Sequence, residues 1–303
     1  MTNVLLYVLT VFFWGTSWLA IKFQLGVVAP EVSVLYRMAG AAAILTAYCV
    51  LARRPMRFSL RDHGFMALQG LFLFSGNYVL IYLGSQYLTS GLVAVAFSSI
   101  VVMNIVGTAL LFAAPIRARV VLGAAAGIAG LTLVFWPEIR AFDVARDGTI
   151  GLALVLAGTF LASLGMLTSA RNQMQGLPVV QSNAFGMTYG ALVLFALTLG
   201  LDRPFNFDAS FPYVASLFYL AFFATVLAFG CYLTLLGRIG AARAAYTTVL
   251  FPIFALALST FFEGYHWTLS AALGLVMVLI GNALILTRGP LLGRAKMTEA
   301  RDR

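Results

Sequence analysis

Ten long apolar runs, each about long enough to cross a lipid bilayer, dominate this 303-residue sequence. A spanning helix needs about 20 mostly apolar residues. The runs lie at 4–23, 33–51, 64–83, 91–113, 120–136, 150–170, 180–199, 213–236, 244–262 and 270–286. They are nearly continuous, whereas the strands of a membrane β-barrel alternate between apolar and polar residues. Only 10% of the residues are charged, against about 25% in soluble domains. The sequence therefore predicts an all-α integral membrane protein with ten transmembrane helices.

The placement of the basic residues predicts which side of the membrane each loop faces. With the N-terminus in the cytoplasm, 14 of the 19 Lys and Arg residues fall in the inward loops and the C-terminal tail. The outward loops hold only Arg140, Arg146 and Arg203. The positive-inside rule then places both termini in the cytoplasm. We attribute the net charge of +9 to contact with anionic lipid headgroups rather than to nucleic-acid binding.

The two halves of the sequence resemble each other. Gly123 and Gly130 lie seven residues apart in the fifth run, as Gly274 and Gly281 do in the tenth. Because each half carries an odd number of spans, the second copy must enter the membrane in the opposite direction, as in alternating-access transporters. The spacing from Gly123 to Gly127 favours close helix packing within the monomer, with a homodimer face as the alternative. The predicted units are a first five-helix repeat at 1–140, an inverted second repeat at 150–288 and a basic cytoplasmic tail at 289–303.

An ordered set of short motifs carries a family resemblance across residues 4–288. The set comprises Trp14-Gly15-Thr16-Ser17, Lys22, Pro30, Arg37, the stretch Gly240–Ala245, Pro252 and Glu263. With these motifs the chain resembles the EamA-type drug/metabolite transporter family, and within it the YddG-like amino-acid exporters. The resemblance implies ten helices in an inverted repeat, a place in the bacterial inner membrane, and export or exchange of small metabolites without a cofactor. Two departures are Phe112–Pro115, which stands where the second half has Glu263, and Phe160–Ser163, which replaces a second Trp-Gly pair.

Polar and aromatic residues inside the apolar runs are the candidates for a central substrate cavity, because polar groups without a partner are costly in a bilayer. These candidates are Trp14, Ser17, Asn77, Tyr78, Tyr82, Ser98, Ser99, Ser163, Met166 and Tyr246. Tyr78 and Tyr82 are four residues apart and share a helix face. Their rings offer an apolar wall with hydroxyl tips, which suits amino acids or aromatic solutes. For each residue alone, packing or a hydrogen bond to a nearby backbone carbonyl is the competing interpretation.

Two basic residues, Lys22 and Arg37, lie close to the predicted outer membrane boundary. We interpret Lys22 as reaching toward the lipid headgroups, and Arg37 as a structural anchor paired with an acid such as Glu31. Contact with a substrate carboxylate is the alternative for both. No Asp or Glu lies near the middle of a run. This weakens the case for proton-coupled antiport of cationic drugs, which usually needs a buried carboxylate.

The sequence argues against an enzyme. Its two histidines, His63 and His266, fall at opposite predicted membrane faces, so they cannot share a metal ion or complete a Ser-His-Asp set. The sequence also contains no Gly-x4-Gly-Lys-Ser/Thr phosphate-binding loop. We therefore predict a secondary transporter, with a mostly apolar site, broad selectivity and amino acids as the first substrate class. A passive small-solute channel and a multidrug exporter of the same superfamily are the alternatives.

Overall fold

A computed structural model describes residues 2–112, 118–136, 147–239 and 247–286, and these residues form helices joined by short connections. The α-helices are α1 (Asn3–Lys22), α2 (Pro30–Leu51), α3 (Leu60–Leu71), α4 (Asn77–Gly84), α5 (Ser90–Phe97), α6 (Ile100–Phe112), α7 (Ala118–Val134), α8 (Asp147–Met174), α9 (Val179–Gly200), α10 (Phe211–Phe218), α11 (Ala228–Ile239), α12 (Thr247–Phe262) and α13 (Leu269–Leu286). A first π segment, Phe72–Gly76, joins α3 to α4, and a second π segment, Tyr219–Leu227, joins α10 to α11.

Several of these helices, alone or joined through a π segment or a turn, are long and apolar enough to cross a membrane, and no strand occurs in the described ranges. Seven spans meet both criteria: Asn3–Lys22, Pro30–Leu51, Leu60–Gly84, Ser90–Leu111, Gly148–Met174, Val179–Gly200 and Phe211–Tyr232. Three shorter apolar helices are Val121–Val134, Leu250–Phe262 and Leu269–Leu284. The all-helical membrane fold is thus confirmed. The helix ends lie within a few residues of the predicted runs.

Local signals explain where several helices begin. The hydroxyl of Thr2 accepts a hydrogen bond from the backbone N–H of Leu5 at 3.3 Å, which caps α1. Ser59 caps α3 in the same way by accepting from the N–H of Asp62 at 3.2 Å. Such side-chain caps satisfy backbone donors that have no partner inside the helix. Pro30 opens α2, where its fixed φ suits the first helical turn and its missing N–H costs nothing.

Three of the helical spans are irregular, which the sequence did not predict. The fourth apolar run is broken at Ser98 and Ser99, which separate α5 from α6. The two π segments interrupt the third and the eighth runs, and therefore occupy the third span of each predicted half. Short π stretches within α-helices often occur at functional sites. All three irregularities lie well inside their apolar runs.

The major helix contacts join the first half of the chain to the second. The helix pairs concerned are α7 with α13, α2 with α9, α3 with α9, α4 with α8, α1 with α12, α5 with α12, α1 with α11 and α6 with α8. The core of buried apolar side chains draws on both halves in the same way, from Trp18 and Phe74 to Met187 and Phe251. The two halves are therefore interleaved, and one continuous core lies between them.

Glycines allow the closest of these contacts, between α7 and α13. A Cβ atom added to Gly130 would lie 2.6 Å from the carbonyl oxygen of Gly274, and one added to Gly281 would lie 2.5 Å from that of Gly123. Residues early in one helix thus meet residues late in the other, so the two helices are antiparallel. We call this contact the glycine seam. It confirms that the glycine spacing serves packing within the monomer.

Candidate functional site

The second π segment contacts two helices of the first half through hydrogen bonds. The indole Nε1 of Trp14 donates to the carbonyl oxygen of Ala224 at 3.2 Å. The Nε of Arg37 donates to the hydroxyl of Thr225 at 3.1 Å. That hydroxyl in turn donates to the carbonyl oxygen of Leu220, five residues back, at 2.7 Å. In addition, the hydroxyl of Tyr219 is hydrogen-bonded to that of Thr16. The segment therefore holds α1 and α2 against the second half.

Arg37 is a buried charge at this junction, and the partners that the described residues give its side chain are neutral. The residue is 2% exposed. Its Nη1 donates to the hydroxyl of Tyr82 at 3.4 Å, and its Cζ lies 4.4 Å from the ring centroid of Tyr78. The shared helix face predicted for the two tyrosines is what brings both of them to Arg37. The predicted pairing of Arg37 with Glu31 is wrong.

Glu31 instead faces a different arginine. Its Oε1 lies 3.9 Å from an Nη of Arg203, which belongs to the connection after α9 and has a half-exposed side chain. Glu31 occupies the first turn of α2, about 9 Å along the helix axis from Arg37. The distance along the helix explains the error, because a carboxylate on the first turn reaches the loops more easily than a side chain nearly two turns further on.

A small cavity of about 40 Å³ adjoins this junction. Its lining residues come from α2, α9, the second π segment and α11, and are Leu45, Val180, Asn183, Met187, Thr225, Val226, Phe229 and Gly230. The volume suits roughly two or three water molecules. Thr225 forms part of the cavity wall and also accepts the hydrogen bond from Arg37. Arg37 therefore lies directly behind the cavity wall.

Trp14 lies behind the same wall on another side. Its ring centroid is 5.4 Å from that of Phe229, which lines the cavity, and 5.1 Å from that of Tyr232. Trp14 was predicted to line a cavity, but it is not among the lining residues of this one. Its indole instead packs on the cavity-lining ring of Phe229. Thr225 and Asn183 were not singled out from the sequence, although each is a polar residue within an apolar run.

Several of the predicted cavity residues form hydrogen bonds within their own helix and do not line this cavity. Ser17 donates to the carbonyl of Trp14 at 2.8 Å, and Ser98 donates to that of Val95 at 2.6 Å. Asn77 donates through Nδ2 to the carbonyl of Leu73 at 3.2 Å. The Oδ1 of Asn77 and the hydroxyl of Ser99 are buried, and no described residue provides a hydrogen-bond partner for them. Tyr246 lies outside the described residues.

Ser163 and Met166 form a separate polar contact with Asn104. The hydroxyl of Ser163 donates to Oδ1 of Asn104 at 2.8 Å, and Nδ2 of Asn104 lies 3.4 Å from the sulfur of Met166. These two residues, predicted to line a cavity, therefore join α6 to α8 through Asn104 instead. Thr159, one turn earlier, donates to its own helix at the carbonyl of Val155.

Lys22 and Glu263 form an ion pair at the ends of four helices. The Nζ of Lys22 donates to the carbonyl oxygens of Ser85 at 2.6 Å and Leu88 at 3.0 Å, and lies 3.9 Å from Oε1 of Glu263. Glu263 accepts the backbone N–H of Ser90, at 2.9 Å to Oε2, and also its hydroxyl. A carboxylate at the start of α5 is favourable for the helix dipole. The expectation that Lys22 points to the headgroups is wrong, because helix-end carbonyls and a carboxylate are within reach.

A buried network of amides lies at the other ends of the helices and was missed by sequence reasoning. Gln69 donates through Nε2 to Oδ1 of Asn183 at 2.8 Å. Its Oε1 accepts from Nδ2 of Asn172 at 3.1 Å and from the hydroxyl of Ser182 at 3.3 Å. All four residues are buried. Amides within apolar runs could have signalled the network, but their partners are far apart in sequence. Through Asn183 the network reaches the cavity.

Comparison with known proteins shows which family the chain matches. The model of the EamA-like transporter family matches residues 1–136 and again residues 149–287. The chain is similar to protein PagO of Salmonella typhimurium, with 23% identity over 282 residues that cover 93% of this chain and 92% of that protein.

Two further similarities agree with the first. An uncharacterized transporter of Archaeoglobus fulgidus is 22% identical over 280 residues, covering 92% of this chain and 97% of that protein. A solved crystal structure shares the fold with a TM-score of 0.67 at 17% identity, covering 93% of this chain and 95% of that one.

Proposed function

Because the chain belongs to the EamA-like transporter family, and so is a multi-pass membrane transporter rather than an enzyme, we propose that it moves amino acids and related small metabolites by alternating access. The proposal adds a substrate class, a mechanism and a site to the family assignment. The bacterial relatives, from Salmonella and Buchnera, lead us to place it in an inner membrane. The YddG-like exporters remain the subgroup that we propose.

In this proposal all ten apolar helices cross the membrane, with both termini in the cytoplasm. The three short apolar helices are each paired with a longer one or with each other, as membrane-embedded helices need to be. The helix contacts support an inverted repeat. In the predicted repeat, α1 corresponds to α8, and α11 corresponds to the α3–α4 span. The pair α1 with α11 is in contact, and so is the corresponding pair of α8 with the α3–α4 span.

The observation that carries the proposal is the small cavity between spans of both halves. Its wall combines α2 of the first half with α9, the second π segment and α11 of the second half. In alternating-access transporters the substrate site lies near the midplane between repeats, often beside irregular helix segments. Its lining is mainly apolar, with Thr225 and Asn183 as the polar groups, which matches the usual composition of small-molecule sites.

An ion pair joins helix ends at one side of the protein. In the proposed orientation, the ion pair of Lys22 with Glu263 lies at the outer surface, where it joins α1, the α4–α5 connection and α12. The cavity lies on the cytoplasmic side of Arg37. A volume of about 40 Å³ is too small for an amino acid, since small-molecule sites enclose about 300–1,000 Å³. The site must therefore widen toward the cytoplasm when substrate binds.

Uptake of radiolabelled amino acids into proteoliposomes tests the proposal. We expect saturable uptake that is accelerated by unlabelled amino acid trapped inside. Trp14→Ala should lower that uptake, because its ring supports the cavity wall. Trp267→Ala is the matched control, since this tryptophan is 46% exposed and donates to Thr260 outside the cavity.

The same assay separates the alternatives. Uptake that rises linearly with concentration and shows no trans-acceleration would indicate a channel. Efflux of neutral drugs, with no amino acid transported by folded protein, would indicate a multidrug exporter. Either result would overturn the proposed substrate class or mechanism.

A further inference from the structure

Arg37 is a buried cation without an acidic partner among the described residues. We propose that its guanidinium binds a carboxylate of the transported solute, so that a carboxylate is the chemical group the site selects. The inference rests on the proposed function and names the substrate chemistry of the same site.

No acid among the described residues forms an ion pair with Arg37. A charge taken out of water is costly unless it is paired, and a charged side chain inside a membrane protein usually has a functional role. The ion pairs of the described acids go elsewhere: Glu31 faces Arg203, and Glu263 faces Lys22. Arg37 is left with two phenols and a hydroxyl as its partners in these ranges.

The guanidinium of Arg37 has more N–H donors than the described residues have acceptors for it. A guanidinium carries five N–H donors in a planar fork that fits a carboxylate with two parallel hydrogen bonds. Within the described part of the chain, Arg37 donates one hydrogen bond to Thr225 and a long one of 3.4 Å to Tyr82. The face of the group is covered by the ring of Tyr78. The Nη2 group has no acceptor among the described residues and lies on the same edge of the fork as the Nε–H, so a carboxylate that displaces Thr225 can accept from both nitrogens.

A solute in the cavity would lie close to Arg37. Thr225 forms part of the cavity wall and its hydroxyl accepts from Arg37, so the guanidinium contacts a residue of the cavity wall directly. A carboxylate that replaces this hydroxyl as acceptor would leave the rest of the solute in the cavity. There Met187 and Phe229 offer apolar contact. The arrangement fits a solute with a carboxylate at one end and an apolar body.

The test compares solutes that differ at the carboxylate. The reconstituted full chain is assayed for uptake of labelled L-phenylalanine in competition with unlabelled L-phenylalanine, L-phenylalaninamide and 3-phenylpropionate. We expect the amide to compete between about ten- and a hundredfold more weakly than the acid, the range for loss of hydrogen bonds to a charged partner. Arg37→Gln should remove this preference, and Arg37→Lys should retain part of it. Arg203→Gln, at the periphery, should keep the wild-type preference.

A binding measurement separates failure of the inference from failure of the proposed function. A ligand that binds the folded state raises the melting temperature. If no amino acid is transported but 3-phenylpropionate stabilises the wild type and not Arg37→Gln, the inference holds and the substrate class falls. If phenylalanine is transported and the amide competes equally well in the wild type, the inference is overturned. An unchanged preference in Arg37→Gln, or in Arg37→Lys if the first variant does not fold, would also overturn it.

Discussion

Substitution of Gly130 by alanine should destabilise the protein through the glycine seam. The added Cβ would lie 2.6 Å from the carbonyl oxygen of Gly274, about 0.8 Å closer than the 3.4 Å at which ordinary contacts begin. Because the opposing atoms include backbone atoms, relief requires α7 and α13 to separate. Overpacking of this kind costs about 1–3 kcal/mol. Gly127→Ala is the control in the same helix, since no described atom lies within 4 Å of its added Cβ.

The two variants share the same gain in helix propensity, about 1 kcal/mol for glycine to alanine. Their difference therefore isolates the seam, and we expect Gly130→Ala to be less stable than Gly127→Ala by about 1–3 kcal/mol. This corresponds to a melting temperature roughly 2–10 °C lower. The measurement is size-exclusion chromatography of heated, detergent-solubilised protein. Equal melting temperatures for the two variants would refute the argument that the seam is closely packed.

Three further substitutions test other contacts. Glu263→Gln keeps the shape of the side chain but removes the charge that faces Lys22 and Ser90; thermal melts should show a loss of about 1 kcal/mol, whereas Asp208→Asn, which keeps the Oδ1 that accepts from the N–H of Ser210, should change stability by less than about 0.5 kcal/mol. Gln69→Leu leaves three buried partners unsatisfied and should cost at least about 2 kcal/mol by the same assay; the exposed Gln173→Leu is its control, and equal effects would argue against the buried network. Trp14→Phe keeps ring packing but loses the hydrogen bond to Ala224, so it should retain more uptake and stability than Trp14→Ala; identical losses would show that the hydrogen bond, not the ring, matters.

The apolar helices were predictable because the length of an apolar run is set by the thickness of the bilayer. The glycine seam was predictable in kind, since small residues at regular spacing have few uses other than close helix approach. The shared face of Tyr78 and Tyr82 followed from helical periodicity alone. These features depend on local sequence, or on glycines at the same spacing in the two halves.

The sequence could not predict which side chains pair between different helices. Arg37 and Glu31 lie in one helix, so a pairing between them was the simplest choice, yet Arg203 and the second π segment provide the partners. The π segments carry no compositional mark, because a change in hydrogen-bond register leaves the apolar pattern intact. Asn183 and Thr225 were visible as polar residues in apolar runs, but only the three-dimensional arrangement distinguishes them from Ser17 or Ser98, which bond to their own helix.

The glycine seam has the form of an isologous interface, although it lies within one chain. Gly130 approaches the carbonyl of Gly274 and the backbone nitrogen of Val278, while Gly281 approaches the carbonyl of Gly123 and the backbone nitrogen of Gly127. Adding 151 to the number of Gly130 gives Gly281. Subtracting 151 from the numbers of Gly274 and Val278 gives Gly123 and Gly127. Two-fold homodimers show this reciprocity, in which one surface binds its own copy. In the proposed inverted repeat, a five-helix unit with a single such surface is complete only beside its inverted twin, and one covalent chain supplies both.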